Sequence, residues 1–162
     1  MAVVHASLSA FENLLESEGL KAGLLYLNQR VPYRFTAIYK LDQHRLVRLA
    51  FVDKQGGYGE GFSDVPFKDS FCEVAARDGH LMTADPLTDD RLTETAHVAV
   101  IGSYVGLPLS RRAGELVGTF CHYDFTSQPV DDPEFEFLQE AIPRLSEYCM
   151  RPGMPLGPQT SS

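Results

Sequence analysis

What the sequence is short of narrows its class before any motif is read. Three cysteines, Cys72, Cys121 and Cys149, are spread over 162 residues. An odd, sparse set of this kind is not the framework that staples small secreted domains. There is no C-x-x-C and no H-x-x-x-H, and His5, His44, His80, His97 and His122 are scattered, so the spacing of a structural metal site is missing. No apolar run approaches the roughly 20 residues that span a bilayer. The N-terminus lacks the basic start and apolar stretch of a signal peptide. Positive charge is scarce as well: 14 Lys and Arg against 22 Asp and Glu leave a formal net charge of −8. That balance argues against non-specific contact with nucleic acid or anionic lipid. The expectation is a cytoplasmic protein with no metal, no nucleic acid and no membrane among its partners.

What is present suits one domain. Apolar residues make up 44% of the chain and charged residues 22%, close to the globular average. Leu8, Phe11, Leu14 and Leu15 recur at helical spacing, with Ser9 and Glu12 at the distance of a capping box. Gly19 breaks this helix, and Leu20, Leu24, Leu25 and Leu27 form a second stripe that Pro32 ends. "FTAIYKL" and "RLVRLAFV" alternate and are joined by "DQHR", which reads as a hairpin. "DKQGGYGEGFSDVP" is a Gly-rich loop. Ser70 and Glu73 form a capping box and Gly79 a C-terminal stop, so Cys72 lies in the first turn of a short helix. "HLMTAD" is a short strand and "PLTDDRLTETAH" an irregular crossover. "VAVIGSYVGLPL" and "ELVGTFCHYD" make a long hairpin about "SRRAG". Asp132 is expected to cap a last helix carrying Phe135, Leu138, Ile142, Leu145 and Cys149, with Pro143 inside it. Residues 1–150 therefore read as a single α+β domain with an antiparallel sheet and helices on both faces. The Pro/Gly/Ser-rich stretch 151–162 reads as a disordered tail.

Four segments, "DSFCEVA", "TADPLTDDRL", "SYVGLPL" and "GELVGTFCHYD", resemble those of GAF domains in order and spacing. The likeness spans residues 7–149. It implies a sheet of five to six strands with the terminal helices on one face. The short helix, the Gly-rich loop and the crossover then enclose a pocket on the other. It also implies a homodimer through the terminal helices, for which Leu8, Leu15, Leu138 and Leu145 supply apolar faces. With only a short tail after the last helix, any signal is expected to be passed in trans to a separate signalling protein.

The resemblance offers several chemistries, which the residues weigh differently. In the phytochromes, the bilin-binding relatives, the pigment is attached to a cysteine on the crossover. The stretch Asp85–Gly102 contains none, so no covalent bilin is expected. No haem is expected: His97 or His122 could serve as the axial ligand, and neither is singled out. The Asn-Lys…Phe…Asp-Glu signature of cyclic-nucleotide GAF domains is not found. Free methionine-(R)-sulfoxide reductase, a thiol enzyme of this fold, carries its nucleophile in a His-Ile-Ala-Cys run. The comparable run here is His97-Val98-Ala99-Val100, and the Trp-rich first hairpin of that enzyme has no counterpart in a chain without Trp. The expected function is thus a non-catalytic small-molecule sensor. Its pocket lining is expected from Tyr39, Phe62, Phe71, Cys72, His97, Tyr104 and His122. Alternatives are a dimerising interaction module with a filled pocket and, less favoured, the thiol enzyme. Strand alternation gives Phe120 and His122 one face of the last strand and Cys121 and Tyr123 the other. The phytochrome likeness assigns His122 to the pocket and Cys121 to the packed core.

Overall fold

A computed structural model describes residues 2–57, 64–92, 95, 100–111, 114–129 and 131–158. Helices α1 (Ala2–Glu18) and α2 (Leu20–Gln29) open the chain. They are separated by Gly19, whose φ of 94° no helix accommodates. Ser9 lies well inside α1 rather than at its start, so the capping-box spacing there is coincidental. Strands β1 (Phe35–Asp42), β2 (Arg45–Asp53) and β3 (Asp64–Pro66) follow. Then come the short helix α3 (Phe71–Asp78) and strand β4 (Leu81–Thr83). Single 3-10 turns at Pro86–Thr88 and Asp90–Leu92 lead into the crossover. Strands β5 (Ser103–Ser110) and β6 (Leu116–Asp124) and helix α4 (Asp132–Cys149) complete the fold.

The six strands form one antiparallel sheet in the order β3-β2-β1-β6-β5-β4. The β1–β6 pairing joins the two hairpins and places the chain's most central strands side by side. Helix ends follow local chemistry. The Ser70 side chain accepts the Glu73 amide at 3.1 Å, and Gly79 ends α3 in the left-handed region with φ 87°. In α4 the cap is Asp131, which accepts the Glu134 amide at 2.9 Å; Asp132, the residue expected to cap, is the first of the helix. The helix runs on through Pro143 to Cys149. Among the described residues no helix is long and apolar enough to cross a membrane.

The sheet divides the core in two. Helices α1, α2 and α4 cover one face, where Phe11, Leu24, Leu27, Phe137 and Leu138 meet Ile38, Val105 and Phe120. Helix α3 covers the other, where Phe71 and Cys72 meet Tyr39, Tyr104 and Cys121. The bidentate pair Arg30–Glu134 ties the end of α2 to the start of α4, with the guanidinium 3.7 Å from the centre of the Phe137 ring. Leu8, Leu15, Leu138 and Leu145 are all buried within this one chain. The four leucines on which the dimer through the terminal helices rests are therefore packed in the chain's own helix-side core.

The expectation of a disordered tail is corrected for residues 151–158. They fold back in successive turns, with the Leu156 amide bonded to the Cys149 carbonyl at 2.9 Å and Gly153 to Pro158 at 2.8 Å. Leu156 is buried in the helix-side core at 4% exposure. The composition reads as disorder because Pro and Gly dominate it; one leucine with a place to go outweighs that. Leu156→Ala should cost about 2 kcal/mol or more by urea denaturation. Leu87→Ala, at a side chain 66% exposed, should change stability by less than about 0.5 kcal/mol.

Candidate functional site

The face beneath α3 is built from short side-chain excursions off three strands. Tyr39 comes from β1, Tyr104 from β5, and Thr119, Cys121 and Tyr123 from alternate positions of β6. Helix α3 lowers Phe71 and Cys72 onto them. The Cys72 sulfur accepts a hydrogen bond from the Thr119 hydroxyl at 3.2 Å and lies 3.3 Å from the Tyr104 hydroxyl. The Phe71 ring meets Tyr104 edge-on at 5.1 Å. Tyr104 can reach so far along the sheet because the residue two ahead on the same face is Gly106; a Cβ there would collide with the Tyr104 ring and hydroxyl. Burial raises the Cys72 thiol pKa, against the lowering pull of Thr119 and Tyr104. It raises Cys121 well above the ordinary thiol value, and Tyr39 and Tyr104 well above the phenol value. The cluster is therefore neutral: thiols and phenols, each holding its proton.

Beside this cluster the face is aromatic. Phe35 stacks with Tyr123 at 4.9 Å and Phe51 at 5.5 Å and meets Phe125 edge-on at 5.2 Å. Cations sit on its rim: Arg34 over Phe35 at 4.8 Å, bonded to Asp53 at 2.8 Å, and Arg48 over Phe51 at 4.1 Å.

His122 is on the other face, and this corrects its assignment to the pocket. It is fully buried among the helix-side residues, stacked on Tyr33 at 5.8 Å and edge-on to Phe120 at 5.0 Å. Its Nδ1 lies 2.6 Å from the Thr36 hydroxyl, which also accepts from the Asn28 amide at 2.8 Å. Thr36 and Nδ1 share one hydrogen, and the imidazole tautomer sets which of the two donates it. Nε2 has no hydrogen-bond partner among the described residues. Asn28 further donates to the Tyr33 carbonyl at 3.2 Å, while Lys54 caps the end of α2 through the Asn28 and Val31 carbonyls at 2.9 and 3.0 Å. Cys121, assigned to plain packing, is the member of the pair that faces α3. The grouping of β6 residues by alternation holds; the face was exchanged, because parity says which residues go together and not which layer they meet.

Of the other expected lining residues, Tyr39, Phe71, Cys72 and Tyr104 are brought together. Phe62 and His97 lie outside the described residues. Thr119, Phe35, Tyr123 and Phe125 were not anticipated. Alternation from Cys121 would have found Thr119 and Tyr123 once the face was known.

No protein-family model matches the sequence, and no curated protein matches it. Solved structures do. The GAF domain of an Acinetobacter phosphoenolpyruvate-protein phosphotransferase superposes with TM-score 0.73 at 16% identity, over 90% of this chain and 92% of that one. Free methionine-R-sulfoxide reductase from Neisseria meningitidis, in complex with its substrate, does so with TM-score 0.71 at 18% identity, over 91% and 88%. The chromophore-binding domain of a bacteriophytochrome from R. palustris gives TM-score 0.70 at 8% identity, over 88% of this chain and 59% of that one.

The chain has a GAF-like fold. At such identities the likeness extends to the fold alone, and the fold hosts sensors and an enzyme alike. Within this GAF-like frame all three thiols are buried and free: Cys72 and Cys121 under α3, and Cys149 in the helix layer, where burial pushes its pKa up to about 12. The two layers also respond differently to acid. Burial, and then the nearby Lys54 charge, push the His122 pKa down to about 3 from 6.5. The unfolded chain takes up this proton below pH 6.5 and the folded chain does not, so stability is full above that pH and is lost as pH falls toward 3. This contribution should amount to about 1.4 kcal/mol per pH unit across the window. His122→Gln keeps an acceptor for Thr36 and does not titrate. Urea denaturation between pH 7.5 and 4.5 should show a shallower loss for this variant than for wild type.

Proposed function

We propose that this GAF-like domain is a non-catalytic sensor that binds a small, mostly apolar molecule on the α3 face and acts in trans on a separate signalling protein in the cytoplasm. The observation that carries the reading is the chemical state of that face. Its aromatic rings offer burial, its hydroxyls offer hydrogen bonds, and its thiols are protonated and enclosed. Thiol catalysis starts from a thiolate with access to substrate, and burial opposes both conditions at each cysteine. The reductases of the same fold keep that chemistry in view as a competitor, and the sequence supports it poorly, since Val100 stands where the nucleophile of that enzyme is expected.

A second reading has one observation in its favour. Tyr104 lies across Gly106 and fills space beneath α3 with the chain's own side chain. A GAF-like module of this kind works as an interaction partner with a filled pocket. The two readings separate by native mass spectrometry of protein purified from its own host. A retained organic molecule is the expected result for the sensor, and a bare chain supports the interaction module. For the enzyme reading, the purified protein should show no turnover of free methionine-(R)-sulfoxide with a dithiol reductant. Its three thiols should react with Ellman's reagent only after denaturation. Turnover abolished by Cys72→Ser would establish the enzyme instead.

A further inference from the structure

Strand β5 is eight residues long, and its outer neighbour β4 is three. The β4 pairing runs from Tyr104 to Gly106. Among the described residues no strand lies against residues 107–110 on the side away from β6. The chain enters β4 from α3 through Gly79, whose left-handed φ of 87° keeps it off this stretch of the edge. Beside the edge runs a groove of about 860 Å³, with β5 on one side and α4 on the other. The Arg111 amide bonds the Glu115 carbonyl at 2.8 Å, inward across the hairpin. The Ser110 carbonyl is turned to α4, where the Ser146 hydroxyl donates to it across 3.4 Å. Backbone groups of successive residues in an antiparallel strand alternate in side, so Pro108 and Ser110 present theirs to the groove. Pro108 offers a carbonyl and no N–H, a residue that sheets accept on their edges.

We propose that this groove receives an extended, acid-ended peptide segment of the signalling partner, added as a strand to the β5 edge. An uncovered edge is a template for another strand. Main-chain bonds to Pro108 and Ser110 set the register, and alternate side chains of the segment find pockets. Those on the helix side meet Leu107, Ile142, Pro143 and Met150. Charge sets the direction. The two ends of the groove are marked by His80, whose ring lies 5.0 Å from Phe135 near the start of α4, and by the Ser110–Ser146 contact near its end. At the second end Arg111 and Arg151 line the groove, against Glu147 among the described lining residues. That local excess of positive charge stands out on a chain of net charge −8. The Arg111–Glu115 pair, at 3.3 Å, joins two exposed side chains, and a pair of that kind contributes little. Arg111 therefore exchanges it readily for an incoming carboxylate. Arg151, held by Glu16, stays at the groove mouth as a fixed positive charge.

The groove rests on the reading that the domain acts in trans, and the two fail separately: a retained organic molecule bears on the α3 face, and peptide binding on the β5 edge. The probes are fluorescein-labelled octapeptides in which threonine and valine alternate and the last two residues are both aspartate, both serine or both lysine. Fluorescence polarisation with the full chain should show the aspartate-ended peptide binding about tenfold more tightly than the lysine-ended one. The double variant Arg111→Glu, Arg151→Glu should reverse that order, which also shows that the variant is folded. Methylation of alternate peptide amides should weaken binding by about tenfold, because it removes main-chain donors and leaves the side chains in place. The bound peptide should slow amide exchange in residues 107–111 and leave α3 unchanged. No binding of the aspartate-ended peptide, equal binding of all three, indifference to methylation, or protection of α3 in place of β5 would overturn the assignment. So would a dimer by sedimentation that the peptide does not dissociate, since a second copy would then hold the groove.

Discussion

The β1–β6 pair sits at the centre of the sheet with a layer of structure on each side, and β6 is buried along nearly its whole length, from Val117 to Asp124. A strand with no solvent-facing side has nowhere to put a polar group except into one core or the other. From Thr119 to Tyr123 alternation distributes its residues: Phe120 and His122 to the helical layer, Thr119, Cys121 and Tyr123 to the α3 layer. Each polar member must find a partner in the layer it enters. Most of what is distinctive about this protein follows from how each layer meets that demand.

The helical layer meets it with a rigid network. Asn28, Thr36 and His122 link the end of α2, the central strand β1 and its neighbour β6 through two short hydrogen bonds. Arg30 and Glu134 close the same corner from outside. The α3 layer meets it with softer groups. Sulfur and phenol hydroxyls exchange weak bonds, and Gly106 leaves room for a ring where another residue would place a side chain. One layer thus fixes the fold, while the other presents neutral, polarisable chemistry under a helix of only eight residues.

The same division bears on the shared fold. A GAF domain and a reductase superpose on this chain almost equally well. On the sensor reading proposed above, the few side chains under α3, their protonation and their access carry the function. Here burial favours the protonated thiol, which weighs toward binding and away from nucleophilic attack.

Much of this architecture was determined by local sequence. Ser70, Glu73 and Gly79 fix both ends of α3, alternation fixes β1, β5 and β6, and the stripe Leu138, Ile142, Leu145 and Cys149 fixes the inward side of α4. Each of these depends only on near neighbours along the chain. What needed the tertiary structure was every choice between equivalents. Asp131 and Asp132 are adjacent and either can cap, and only the bond to Glu134 decides. Leu156 is one apolar residue in a stretch of Pro and Gly, and only the gap beside Cys149 makes it an anchor. His122 and Cys121 are related by parity, and a strand covered on both sides carries no local mark of which layer lies above it. That mark comes from Thr36 and Asn28, dozens of residues away in sequence, and from Cys72 and Tyr104 on the opposite face, because a side chain's partner is set by register and packing that no local pattern encodes.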